Sequence, residues 1–189
     1  MIAYDLIGQT PLVLLESFSD ENVKIYAKLE QFNPGGSIKD RLGKYLIEKA
    51  IDEGRLKEGD TIVEATAGNT GIGLAIASNR HKVKCIIFAP EGFAEEKISI
   101  MKALGADVRR TPKVEGMTGA QQEALAYATR YGYLYMNQFE TKDNPGAYTQ
   151  TLAKQLTDEL SHIDYFVAGV GSGGTFTGVA QHLKTYDVK

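Results

Sequence analysis

One lysine stands where a lysine is chemically unusual. In Asn33-Pro34-Gly35-Gly36-Ser37-Ile38-Lys39-Asp40-Arg41, Pro34, Gly35 and Gly36 make a turn and Ser37 can cap a helix. Leu42, Leu46, Ile47, Ala50 and Ile51 recur at helical spacing, which predicts a helix from about Ser37 to Glu53 with Lys39 in its first turn. That turn presents unpaired N–H groups, whose partial positive charge disfavours a cation. Partial burial lowers an amine's pKa further. A neutral amine is a nucleophile and forms Schiff bases with carbonyl compounds. Most lysines taken singly are solvated surface charges, so the rest of the chain must decide.

Two other stretches have the composition of anion sites. Gly171-Ser172-Gly173-Gly174-Thr175 follows an apolar strand pattern and opens a helix. Its glycines let backbone approach an anion, and a helix N-terminus and two hydroxyls supply donors. Thr66-Ala67-Gly68-Asn69-Thr70-Gly71 is built the same way. Each also reads as a tight strand-to-helix turn without a ligand, and Asn69 as a capping residue. A dinucleotide site at the first would need an acidic residue about 20 positions on, beyond the last residue here. A P-loop fails because Gly43-Lys44 is followed by Tyr45. Gln138, in Met136-Asn137-Gln138-Phe139, is by itself a loop amide.

Taken together and in this order, the three motifs resemble fold-type II pyridoxal-phosphate enzymes, in the cysteine synthase and cystathionine β-synthase family. The likeness runs from Asp5-Leu6-Ile7-Gly8-Gln9-Thr10-Pro11 to the end of the chain. It implies an α/β fold like the tryptophan synthase β-subunit, with two three-layer α/β/α domains built on parallel sheets. By the same resemblance, residues 1–11 and 33–143 form a smaller mobile domain. Residues 12–32 and 144–189 form part of a larger phosphate-binding domain. That domain is expected to be incomplete here, because the helix after Gly174 should lead into another strand. The resemblance implies that Lys39 carries pyridoxal 5′-phosphate, that Asn69 bonds the cofactor's 3′-oxygen, and that Gly171, Ser172, Gly173, Gly174 and Thr175 hold its phosphate. It implies substrate contacts from Thr66, Gly68, Asn69, Thr70 and Gln138; Ala67 stands where many relatives have serine. The implied reaction is β-replacement on O-acetylserine or serine with Lys39 as general base.

Glu64-Ala65-Thr66-Ala67-Gly68-Asn69-Thr70 and Glu115-Gly116-Met117 look most like the bacterial O-acetylserine-dependent cystathionine β-synthases, which implies homocysteine as the thiol. A cysteine synthase using sulfide, a nucleotide-binding oxidoreductase, and a non-catalytic fragment or binding module remain open. A serine or threonine dehydratase fits less well: Ser37-Ile38-Lys39 departs from Ser-Phe-Lys, and Gly171–Gly174 from a glycine run. The animal-type enzyme, with a haem-binding extension before residue 1, is not expected. The implied partners are small amino-acid and thiol substrates, and a second copy in a homodimer when full length.

The elements that must position these residues read as a hairpin followed by a strand–helix alternation. Val13–Leu15 and Val23–Leu29 are the hairpin strands. Strands follow at Thr61–Ala65, Val83–Ala89, Asp107–Arg110, Tyr133–Met136 and Tyr165–Val170. Helices fall near Thr70–Arg80, Ala94–Leu104, Thr118–Tyr131, Pro145–Leu160 and from Gly174 on. Such alternation means βαβ units and a mostly parallel sheet. The 189 residues are 43% hydrophobic with a net charge of −3, which gives no basic footprint for nucleic acid. No apolar run of about 18 residues suggests a membrane span, and no leader pattern opens the chain. One cysteine, Cys85, fits a cytoplasmic protein and a buried thiol. His81, His162 and His182 lack partners at metal-ligand spacing. The ten tyrosines read as scattered packing and surface residues, and Asp40 and Arg41 as structural.

Overall fold

The strand–helix alternation closes into a four-stranded parallel sheet between two layers of helices. The computed structural model describes residues 2–93, 95–186 and 188. Met1, Ala94, Asp187 and Lys189, which the expected ranges 1–11, 94–104 and 144–189 include, lie outside the described residues. A hairpin comes first, with β1 (Leu12–Leu14) antiparallel to β2 (Tyr26–Lys28). The sheet holds β3 (Thr61–Ala65), β4 (Lys84–Pro90), β5 (Asp107–Thr111) and β6 (Leu134–Tyr135) in the order β5-β4-β3-β6. Every pairing in it is parallel.

Alternation along the strands sorts side chains to two faces. Ile62 and Ile87 face a core shared with α1 (Lys39–Asp52), α2 (Asn69–Arg80) and α3 (Glu95–Ala103). Val63, Ala65, Ile86 and Phe88 face α4 (Gly116–Tyr131), which presents Ala120, Ala124 and Ala128 one turn apart. Small residues at that spacing let the helix lie close to the sheet.

The contact between α1 and α2 sets the position of Lys39. A Cβ on Gly43 would stand 2.3 Å from the Gly73 carbonyl, and one on Gly73 would stand 2.4 Å from the Lys39 carbonyl oxygen. The two backbones touch there, and only glycine permits it. Ser37 is not the cap expected: Ile38 occupies the N-cap position without a side-chain cap bond, and the Ser37 hydroxyl accepts the Lys39 N–H at 3.2 Å from one residue further out.

Three expectations change. The helix expected over Pro145–Leu160 is α5 (Asp143–Tyr148), a π-helical turn over Thr149–Ala153, and α6 (Lys154–Glu159). The Thr149 hydroxyl donates to the Pro145 carbonyl and to Gly178 of α7 (Gly174–Leu183), and Thr151 donates to Ala147. Hydroxyls that occupy carbonyls of the preceding turn bend and widen a helix. Tyr165–Val170 is not a strand. Tyr165, Val167 and Val170 are 68%, 90% and 68% exposed, and no segment among the described residues forms a ladder with theirs. The apolar residues gave strand propensity, but a strand also needs a neighbour for its N–H and C=O groups. The tyrosines are not all scattered. Tyr127, Tyr131 and Tyr133 cluster with ring centroids 4.5–6.0 Å apart, and Arg109 lies 4.2 Å over the Tyr127 ring. Helical i,i+4 spacing and the turn into β6 bring them together. Cys85 is buried in β4, and burial pushes its thiol up to about 12. No described helix is long and apolar enough to cross a membrane.

Gly73→Ala drives a methyl into the Lys39 carbonyl. The expected loss is about 1–3 kcal/mol of unfolding free energy, seen as a lower urea midpoint at unchanged slope. A wild-type midpoint would mean that α1 and α2 part freely.

Candidate active site

In an open parallel sheet, ligands bind at the carboxyl ends of the strands, where loops lead into helix N-termini. All three predicted motifs open helices, but only Thr66–Gly71 leaves a strand of this sheet. Lys39 opens α1, Asn69 opens α2 on leaving β3, and Gly174 opens α7. The Lys39 amine lies 3.4 Å from the Ser172 hydroxyl, although 133 positions separate them in the chain.

Lys39 is half-buried, and no carboxylate among the described residues forms an ion pair with it. Burial lowers its pKa from the ordinary lysine value. Its two neighbours are engaged elsewhere. Asp40 accepts the Gly35 N–H and so ties the Asn33–Gly36 loop to the helix. Burial raises the Asp40 carboxyl to about 6, the Gly35 bond opposes that, and the Glu30 charge adds to it. Arg41 pairs with Glu30 through Nε at 2.7 Å and Nη2 at 2.8 Å. Structural roles for both match the reading of their sequence.

A hydrogen-bond chain joins three of the remaining predicted residues, Ser172, Gln138 and Thr70, through Asn144. Asn144 Nδ2 donates to Ser172 Oγ at 3.0 Å and to the Gln138 carbonyl at 2.7 Å. The Thr70 hydroxyl donates to Gln138 Oε1 at 2.6 Å, and both residues are buried. The Thr66 hydroxyl accepts the Gly68 N–H at 3.2 Å and shapes that loop. Asn69 is half-buried, and its carboxamide oxygen is enclosed without a partner. Gly173 has a left-handed φ of 83°. Gly174 has no room for a side chain: an added Cβ would lie 1.8 Å from Asn144 Oδ1. Gly171 is exposed, and Thr175 is half-buried beside the wholly buried Tyr148 ring.

Two residues central to this network were not singled out from sequence. Asn144 joins the loop of α7 to that of Gln138, yet Asp143-Asn144-Pro145-Gly146 reads only as a turn. Its position one residue before a proline near a helix start was the available signal. Glu64, at the end of β3, was legible only as part of the adjoining motif. It is fully buried and accepts the N–H groups of Ala65 and Gln138.

The fold and these junctions define a class. The chain belongs to the family described as pyridoxal-phosphate dependent enzymes, which matches residues 3–189, and its parallel α/β architecture is that of the fold-type II members. It is similar to an O-acetylserine dependent cystathionine beta-synthase of Bacillus subtilis (strain 168), with 50% identity over 183 residues, 95% of this chain and 60% of the relative. It is 48% identical over 189 residues to a cysteine synthase of Helicobacter pylori (strain ATCC 700392 / 26695), again over 95% of this chain and 60% of the relative. A crystal structure of an O-acetylserine dependent cystathionine beta-synthase from Helicobacter pylori superposes with a TM-score of 0.93 at 45% identity, covering 100% of this chain and 65% of that one. The chain therefore spans about 60% of the length of the curated relatives it matches.

The residues present fit a phosphorylated aldehyde. Among the described residues Lys39 has no counter-ion and the Asn69 carboxamide oxygen has no partner. Ser172 Oγ accepts from both Lys39 and Asn144, which leaves its proton to donate.

Asp40 predicts a pH dependence of stability. Its folded value of about 6 lies above the ordinary 3.8, so its ionisation is harder in the folded state. Its contribution is fully present below about 3.8 and is lost as the pH rises through about 6. Asp40→Asn removes that contribution. Urea unfolding across this range should show a smaller fall in stability for the variant than for wild type; equal slopes would contradict the assignment.

Proposed function

We propose that the full protein catalyses β-replacement on O-acetylserine or serine with a thiol nucleophile, and that homocysteine is the thiol, giving cystathionine. The observation that carries this reading is Lys39: a half-buried amine with a lowered pKa, at a helix N-terminus, 3.4 Å from a hydroxyl of the Gly171–Thr175 loop. Membership of the pyridoxal-phosphate family supports it.

In this reading the unpaired N–H groups at the start of α7, with the Ser172 and Thr175 hydroxyls and Gly171, Gly173 and Gly174, bind the cofactor's phosphate. Lys39 Nζ would hold the cofactor through its aldehyde carbon, and Asn69 would meet its ring oxygen. Bound there, pyridoxal phosphate supplies a conjugated ring that accepts the electron pair left at the substrate Cα. Thr66, Gly68, Asn69, Thr70 and Gln138 bind the amino acid's carboxylate at the N-terminus of α2. The freed Lys39 amine takes the proton at Cα and later returns it. Burial lowers its pKa from the ordinary lysine value, the direction that favours the neutral amine. Between those two transfers the Cβ–O bond would break and the thiol sulfur would bond to Cβ, the thiol proton departing with acetate or, from serine, with hydroxide as water.

The same reading divides the chain into a smaller mobile domain of residues 1–11 and 33–143 and part of a larger one, 12–32 and 144–189. The Lys39–Ser172 contact then spans the boundary. It also implies a homodimer of the full-length protein in the cytoplasm. A cysteine synthase that uses sulfide is the second reading, supported by the near-equal identity of 48% to a relative of that name.

Borohydride reduction of the cofactor-loaded protein should place the phosphopyridoxyl group on Lys39. Lys39→Ala should lose both the label and at least about 100-fold in turnover. Label on another lysine would refute the assignment. With O-acetylserine held constant, the full-length enzyme is expected to prefer homocysteine to sulfide; the reverse preference would make it a cysteine synthase.

A further inference from the structure

The edge strand β6 leaves the sheet at an abrupt point, and a carboxylate takes over from the ladder there. Met136 N–H donates to the Val63 carbonyl at 2.9 Å, the last rung between these strands. In a parallel ladder the next rung falls two residues on, from Gln138 N–H to the Ala65 carbonyl. Asn137 instead turns left-handed, with φ 47°, and carries the chain away. Gln138 N–H is buried and would be orphaned. Glu64 Oε2 accepts it at 3.1 Å, while Oε1 accepts the Ala65 N–H at 2.9 Å. The Glu64 side chain is fully buried, and among the described residues no cation pairs with it. A carboxylate in such a place is costly unless hydrogen-bonded, and here each oxygen receives one backbone donor.

We propose that Glu64 is a positioning residue for amino-acid substrate binding, acting through Gln138. Glu64 fixes the Gln138 nitrogen and Asn144 fixes its carbonyl, so the peptide is held from both sides. The Gln138 side chain then points at the start of α2, where Oε1 accepts the Thr70 hydroxyl and the amide nitrogen is left to donate. The inference rests on the reading that this pair of loops receives a substrate carboxylate. It requires two acceptor oxygens at position 64 and not merely a buried polar group. Both of its contacts are N–H donors, so a carboxamide would turn its own NH2 against one of them.

The test uses the full-length protein with Glu64→Gln, Gln138→Ala and the double substitution. Hydrogen exchange of residues 134–140 is followed with and without cofactor, alongside cofactor affinity, kcat and KM for O-acetylserine. Glu64→Gln is expected to speed exchange at Gln138 and to raise KM about tenfold, the scale of one charged hydrogen bond, with kcat and cofactor affinity unchanged. The double variant should be no worse than Gln138→Ala alone. Additive effects on KM, or unaltered exchange across 134–140, would overturn the proposal. If Glu64→Gln does not fold, Glu64→Asp keeps the charge but withdraws the oxygens, and the same exchange and KM changes are expected. If wild type does not act on O-acetylserine, the reading of function fails, and exchange alone decides the grip of Glu64 on Gln138: faster exchange confined to that loop upholds it, and unaltered exchange overturns it.

Discussion

The buried ion pair between Arg41 and Glu30 is the interaction on which the arrangement depends. The Arg41 side chain is 1% exposed and that of Glu30 14%. Arg41 Nη2 also donates to the Gly8 carbonyl, the Thr10 hydroxyl and Gln155 Oε1, and Gln155 Nε2 donates back to Gly8. Asn33 joins from the other side, accepting the Gly8 N–H and donating to Glu30. The N-terminal segment, the chain after β2, the start of α1 and α6 therefore meet at one guanidinium. Burial alone would raise the Glu30 carboxyl, but Arg41, Thr10 and Asn33 outweigh it and hold its pKa below the ordinary value. A buried pair of this kind adds little net stability over apolar packing. Removing one partner costs about 3–5 kcal/mol, because a buried charge is left alone. It thus acts against any other arrangement of these four segments.

Lys39 benefits from this network without belonging to it. Successive residues of an α-helix project about 100° apart, so 39, 40 and 41 face three directions. Arg41 turns into the Glu30 cluster and Asp40 toward the Asn33–Gly36 loop, and Lys39 is left facing Ser172. The two flanking charges are spent on holding the helix start, and neither neutralises the lysine. Had Asp40 reached Lys39, attraction would have favoured the ammonium.

What could be read from sequence follows from whether the cause is local. Turn residues, glycine-rich junctions and the alternation of apolar runs depend on neighbours in the chain, and β3, α1 and α2 formed within two residues of their expected bounds. Tyr165–Val170 failed because a strand is completed by a distant partner that its own residues cannot specify. The role of Glu64 was invisible for a related reason. Nothing beside it announces that β6 will turn away at Asn137, 73 positions later, and leave an N–H to be caught. Asn144 likewise became legible only when α5 and α7 were seen to touch at Gly174 and Gly178. The motifs named the ends of the site, and long-range contacts supply what joins them.

The starts of α2 and α7 share the same backbone physics but are built differently. Both are helix N-termini preceded by glycine and hydroxyl residues, so both attract negative charge. At α7 the Ser172 hydroxyl is held by Asn144 and Lys39, and Gly174 is pressed against Asn144. This suits a group that stays bound. At α2 the Asn69 carboxamide is left unpaired and Thr70 is oriented by Gln138, which is itself held from a separate loop. This suits a group that comes and goes, because the donors can rearrange around it without loosening α7. The start of α1 lies between them, and the partial positive charge of a helix N-terminus disfavours an ammonium at Lys39 in the same direction as burial does. An anion at either junction opposes that effect, since a nearby negative charge raises a lysine's pKa.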